Sequence, residues 1–176
     1  CKKNDSLNHL NIVFFGTLYE KFPYNQLGKV LFKISHSLKK HIHVKILGRQ
    51  REDVGLKYLK KVIRKYKFNL SLFGEISISK ISEELQRSDL GISTTPYDII
   101  GKSGATTAMF EHGLPILAYD DGDSPSNKLF VMNEFTQQIF LLNKDFALDR
   151  MISFLRKPRK QFFDGVSYTA KKMIEI

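Results

Sequence analysis

The sequence contains one cysteine, Cys1, in 176 residues. A lone thiol cannot close an intrachain disulfide, so the fold is held by its core, and a reducing compartment is the simpler reading. There is no apolar run near the roughly 20 residues a helix needs to cross a bilayer. "NIVFF" and "PILAY" have only the length of buried strands. Internal repeats, low-complexity tracts and interior linkers are missing, which points to one domain over 1–176. Zinc-finger spacing and the interleaved aromatics of RNA-binding modules are missing as well, so charge alone does not argue for nucleic acid. The chain opens on Cys rather than Met, which reads as a fragment or a processed chain.

The balance of what is present is globular: 42% hydrophobic and 26% charged residues. A chain of this length buries roughly 70% of its unfolded surface. The net charge is +10 and the pI about 9.6. Three classes of partner fit such a charge: nucleic acid, an anionic membrane surface, or an anionic small ligand. Much of the excess lies in "KYLKKVIRKYK" (57–67). Leu56, Leu59, Ile63 and Tyr66 recur there at helical spacing and face the core, which leaves the lysines on an outer face. A solvated helix face is the default for that pattern. "RKPRK" (156–160) reads the same way.

Apolar runs alternate with helical periodicity along the chain. Strands are expected at 10–17, 42–49, 70–76, 89–96, 114–120 and 137–143. A helix is expected over 24–40, with Leu27, Val30, Leu31, Ile34 and Leu38 inward. Others run from after Arg49 to about Lys67, over 79–89 with Ser79 or Ser82 as cap, from Ser103 to His112, and through "DFALDRMISFLRK". This alternation predicts an α/β fold, a Rossmann-like parallel sheet of about six strands with helices on both faces. The polar stretch "DDGDSPSNK" (120–128) follows the fifth strand, on the side where such sheets bind ligands.

The segment "PYDIIGKSGATTAMFEHG" (96–113) raises the question of phosphate. Gly101-Lys102-Ser103 imitates the end of a Walker A motif. A true one follows the first strand and begins with Gly, whereas this one follows the fourth and has Pro96 there. Pro lacks both the amide and the positive φ of that cradle. The other reading is a phosphate-binding helix N-terminus: Gly101 and Gly104 for close approach, Lys102 as cation, Ser103, Thr106 and Thr107 as hydroxyls, and free amides at the helix start. An ordinary helix capped by Ser103 fits the same residues. His41 and His43 alternate on one strand face, but two histidines without a third ligand are more often surface residues than a metal site. Tyr97, Asp98 and Glu20 are loop residues that fit ligand contacts or plain turns equally.

The succession of strand, Gly-rich loop, helix and "EHGLPIL" resembles the carboxyl-terminal, donor-binding domain of GT-B glycosyltransferases, of the group 1 or family 4 kind. Gly113-Leu114-Pro115 matches the helix-ending Gly-x-Pro of that family. "SGA" before the helix also resembles the peptidoglycan N-acetylglucosaminyltransferase. The likeness extends over nearly the whole chain. It implies half of a GT-B fold, with 1–176 as the carboxyl-terminal half of a two-domain enzyme and the acceptor bound by an amino-terminal domain that this chain lacks. The implied function is binding of a UDP- or GDP-sugar for hexosyl transfer to a hydroxyl, without metal or cofactor, in the cytoplasm or at the inner face of the membrane. The implied donor-binding residues are Gly16, Thr17, Lys21, Gly48, Arg49, Gly74, Lys102, Ser103, Gly104, Ala105, Thr106 and Glu111; no catalytic base is identifiable. Two departures stand out. Thr17 occupies the position where many retaining members have Arg, and Ala108 the position of their ribose-binding Glu, with Glu111 one turn on. A non-catalytic partner domain and a sugar-nucleotide 2-epimerase, which shares the fold, are the alternatives.

Overall fold

Six short apolar segments pair in one sheet of a computed structural model that describes residues 8–49, 54–120, 138–143 and 146–157. The strands are β1 (His9–Phe15), β2 (His41–Leu47), β3 (Asn69–Gly74), β4 (Leu90–Pro96), β5 (Ile116–Tyr119) and β6 (Ile139–Leu141). Their order is β3-β2-β1-β4-β5-β6 and every pairing is parallel. Parallel strands need crossovers: α1 (Tyr24–Leu38), α2 (Val54–Tyr66), α3 (Ile78–Gln86) and α4 (Gly104–Glu111) connect β1 through β5 in turn, and α5 (Leu148–Leu155) follows β6.

The period-two alternation along each strand divides the core in two. Ile12, Phe14, Val44 and Ile46 pack under α1, α2 and α5, where Leu27, Leu31, Ile34 and Leu59 meet them. Val13, Leu47, Ile116 and Ala118 point the other way, against Leu85 of α3 and Met109 of α4. Helices therefore cover both faces, as the sequence predicts. Leu56, Leu59 and Ile63 are buried and Tyr66 is half-buried, again as expected.

Three details differ from the expectation. The cap of α3 is Ser77, which accepts from the Lys80 amide, rather than Ser79 or Ser82. The chain after Pro96 is a 3-10 turn, Tyr97–Lys102, that buries Ile100. Helices α1 and α2 each end on a lysine in the left-handed region, Lys39 at φ 54° and Lys67 at φ 56°. After each, the next amide reaches back to close the helix end: Lys40 donates to the Ser35 carbonyl and Phe68 to that of Ile63. Of the acidic stretch 120–128, only Asp120 lies among the described residues, and of 156–160 only Arg156 and Lys157.

A buried ion pair links the sheet to α3. Lys45 Nζ lies 2.9 Å from Glu84 Oε2, and both residues are buried. Lys80 and Arg87 approach the other Glu84 oxygen at 3.3 and 3.8 Å. Burial alone would push the Glu84 carboxyl up; the hydrogen bond and charge of Lys45, joined by Lys80, hold it below the usual range. At the amino ends of the strands, the His9 ring lies against those of His41 and His43. His43 Nε2 is 2.8 Å from Ser71 Oγ. Burial, then the charges of Lys45 and His9, keep the His43 imidazole below its ordinary pKa, with Glu84 opposing.

Candidate functional site

The strand order reverses between β1 and β4. The chain leaves β1 toward β2 and leaves β4 toward β5, so the two loops diverge and open a crevice at the carboxyl edge. Gly16 follows β1 at φ +88°, a conformation L side chains rarely adopt. A Cβ there would lie 3.4 Å from the Ala105 Cβ, so the start of α4 stands directly over the Gly16 backbone. The loop ends are joined in series: the Gly16 amide donates to Leu47 O at 3.1 Å, and the Gly48 amide to Gly74 O at 2.9 Å. Thr94 Oγ1 closes the crevice floor by donating to Thr17 O at 2.7 Å. Gly16, Thr17, Gly48, Gly74 and 103–106 thus share one edge.

Ser103 is the cap of α4. Its Oγ accepts from the Thr106 amide at 3.2 Å and from the Thr106 hydroxyl at 3.0 Å. Thr106 is buried, and Ser93 Oγ lies 2.9 Å from its hydroxyl. Since Thr106 gives its one proton to Ser103, Ser93 is the donor to Thr106. The Ser103 proton is then left over as a donor. The first intrahelical bond runs from Thr107 N to Ser103 O, so the amides of Gly104 and Ala105 precede it and are what the helix start offers to an anion. Lys102 is exposed beside them, at the end of the 3-10 turn.

The remaining predicted residues lie farther out. Lys21 is exposed in the segment between β1 and α1. Arg49 follows Gly48, and its Nε is 3.5 Å from Glu75 Oε1, with both side chains largely in water. Glu111 ends α4, about 10 Å along the helix axis from Gly104 at the standard rise. Ala108 packs on the core beneath the helix. Tyr97 lines a cavity of about 260 Å³ together with Phe140, Asn143, Phe146 and Arg150. Burial, aided by the Asp120 carboxylate, pushes the Tyr97 phenol up, so it stays a protonated donor. Ser93 and Thr94 were not anticipated; the signal available was three hydroxyl residues, Ser93, Thr94 and Thr95, at the end of an otherwise apolar strand. Among the described residues, no group of three or more His, Cys, Asp or Glu is placed to hold a metal ion, and no helix is long and apolar enough to cross a membrane.

No protein-family model and no curated protein matches the chain by sequence. Solved structures do match it in shape. The catalytic domain of cholesterol-α-glucosyltransferase from Helicobacter pylori superposes with a TM-score of 0.55 at 15% identity, covering 95% of this chain and 99% of that one. HepE from Anabaena, in complex with UDP and glucose, superposes with a TM-score of 0.52 at 14% identity, covering 97% of this chain and 50% of its own. The architecture is that of one half of a GT-B fold. This chain therefore spans about half the length of HepE. In the GT-B half-fold, the crevice between β1 and β4 is the switch point of the sheet, and the parts that reach it here are chiefly loop backbone and the start of α4.

Proposed function

We propose that this chain is the donor-binding domain of a glycosyltransferase that uses a nucleoside-diphosphate sugar, with UDP or GDP as the nucleotide. One observation carries the reading: Gly16 and Ala105 bring two independent loops into contact at the switch point, with the Gly104 and Ala105 amides ahead of the first intrahelical bond of α4. HepE, which shares the fold, is in complex with UDP and glucose in its structure, which supports the reading. The diphosphate would accept from the Gly104 and Ala105 amides and the Ser103 hydroxyl, with Lys102 alongside. Gly48 and Gly74 would let the rest of the nucleotide lie against main chain, and Lys21 and Arg49 would raise the positive potential of the rim. Negative charge grows on the leaving diphosphate as a glycosidic bond breaks, and fixed donors already in place stabilise it without reorganising. With these cations no metal is required. The acceptor and any general base would come from an amino-terminal domain, so the chain alone would bind donor without turning it over.

A non-catalytic partner domain is the second reading, favoured by Ala108, half-buried against the core at the position of the family's ribose-binding Glu, where it offers no carboxylate. Isothermal titration calorimetry with UDP and GDP separates the two. Dissociation constants at or below the millimolar range, weakened by Lys102→Ala, are expected. No heat with either nucleotide at millimolar concentration would leave the non-catalytic reading.

A further inference from the structure

The positive charge of this chain is concentrated in one part of it. Residues 24–69 carry thirteen Lys and Arg against two acids, Glu52 and Asp53, whereas the rest carries fifteen against sixteen. The net +10 is therefore contained in the β2 strand, the helices that flank it and their connections. Neither α1 nor α2 contains an acidic residue. The two helices pack side by side through Gly28, whose absent Cβ would lie 2.6 Å from Val62 and Tyr66. They form a layer over one sheet face. Lys29, Phe32 and Lys33 of α1, with Lys57, Tyr58 and Lys61 of α2, project outward from it. Phe32 is 41% exposed and Tyr58 44%, large apolar side chains in a field of one sign of charge.

We propose that this α1–α2 layer docks on an anionic lipid bilayer. Lysines with apolar stems, interspersed with half-exposed Phe and Tyr, suit an interface whose depth is apolar and whose surface is negative. Each basic residue held near such a surface contributes about 1 kcal/mol, and no carboxylate on either helix opposes it. The same rings argue against nucleic acid. Base stacking needs open aromatic faces. Here Lys61 Nζ sits 5.6 Å over Tyr58, whose other neighbour is the stacked Tyr24 ring, and Lys65 Nζ sits 5.4 Å over Tyr66, itself stacked on Phe68. The layer covers a sheet face, while the crevice opens at the carboxyl edge of the strands. Docking by this face leaves the crevice open to water at the level of the headgroups. The inference rests on charge and exposure and is independent of the donor reading.

The test is flotation of the full chain with vesicles of phosphatidylcholine, with and without phosphatidylserine. Binding is expected only with phosphatidylserine, and it should fall steeply as salt shortens the Debye length from about 10 Å at 0.1 M to about 3 Å at 1 M. The triple variant Lys57→Ala, Lys61→Ala, Lys65→Ala should lose roughly a hundredfold in partitioning. Thermal melting verifies that it is folded. Phe32→Ser with Tyr58→Ser should weaken binding while leaving its salt dependence. Absence of binding to phosphatidylserine vesicles at low salt, or equal binding by the folded triple variant, overturns the proposal. So does tighter capture of polyuridylate RNA at the same salt, weakened by the same triple variant.

Discussion

Replacing Glu84 is expected to cost more than replacing Lys45, although the two form one ion pair. Lys45 is 7% exposed and Glu84 5%, with Nζ and Oε2 2.9 Å apart. After Glu84→Leu, the Lys45 ammonium stays beneath α3 with no carboxylate at ion-pair distance among the described residues. Breaking a buried pair in that way costs about 3–5 kcal/mol. After Lys45→Met, Glu84 keeps Lys80 at 3.3 Å, so the loss is closer to one charged hydrogen bond, about 1.5–3 kcal/mol. The double variant replaces both charges with apolar groups of similar size and should return to near the original stability or exceed it. For a domain of this size 1 kcal/mol shifts Tm by about 2–4 °C, so Glu84→Leu should lower it by about 6–20 °C. Urea unfolding of the four proteins measures the cycle, and the His43 ring resonance in NMR titration provides a second readout. Removing the Lys45 charge should raise the His43 pKa, because Lys45 is one of the groups that lower it. Lys45→Met as costly as Glu84→Leu, or a double variant whose loss is the sum of the two, would refute the reasoning.

Acidification should destabilise the fold through His43 before the carboxylates titrate. Its folded pKa is depressed, so from about 6.5 downward the unfolded chain takes up the proton first and stability falls until the folded pKa is reached; chemical denaturation at several pH values should show a slope there that His43→Gln flattens. Lys39→Gly and Lys67→Gly each relieve a left-handed lysine and should stabilise by up to about 1 kcal/mol, read as a rise in Tm. In an intact two-domain enzyme, Lys102→Ala should lower turnover about a hundred- to thousandfold, whereas Lys60→Ala on α2 should leave it nearly unchanged in steady-state assays; equal turnover would make 103–106 an ordinary helix cap.

The fold was legible because its apolar residues keep strict periods. Leu27, Leu31 and Ile34 could form only one stripe, and "NIVFF" and "PILAY" were too short for anything but strands. What the pattern did not contain was tertiary. Lys45 lies on a strand whose alternation points it inward, but its partner is 39 residues away and no local rule pairs them. Ser77, Ser79 and Ser82 are equally eligible as caps by residue type, and only the helix geometry selects Ser77. The turn at Tyr97–Lys102 forms because Ile100 finds a core pocket, which Pro96 and Gly101 conceal by reading as loop. Around the crevice, the glycines after β1, β2 and β3 were visible as strand terminators. The bonding of Thr106 to Ser93 was not, because it joins residues of different elements.

Gly16, Gly48, Gly104 and Ala105 bring main chain to the crevice and almost no side chain. Amide nitrogens are the same whichever amino acid carries them. A contact surface of that kind tolerates wide sequence divergence so long as two conditions hold: the positive φ after β1 and the small residue opposite it. The fold as a whole is matched at only 15% identity. A main-chain surface is also indiscriminate, since it can tell a diphosphate from water but not one base or one sugar from another. If the crevice holds a nucleotide sugar as proposed, choice among donors belongs to the side chains at the rim, and exchanging rim residues between related domains would change which donor is accepted without disturbing how its phosphates are held.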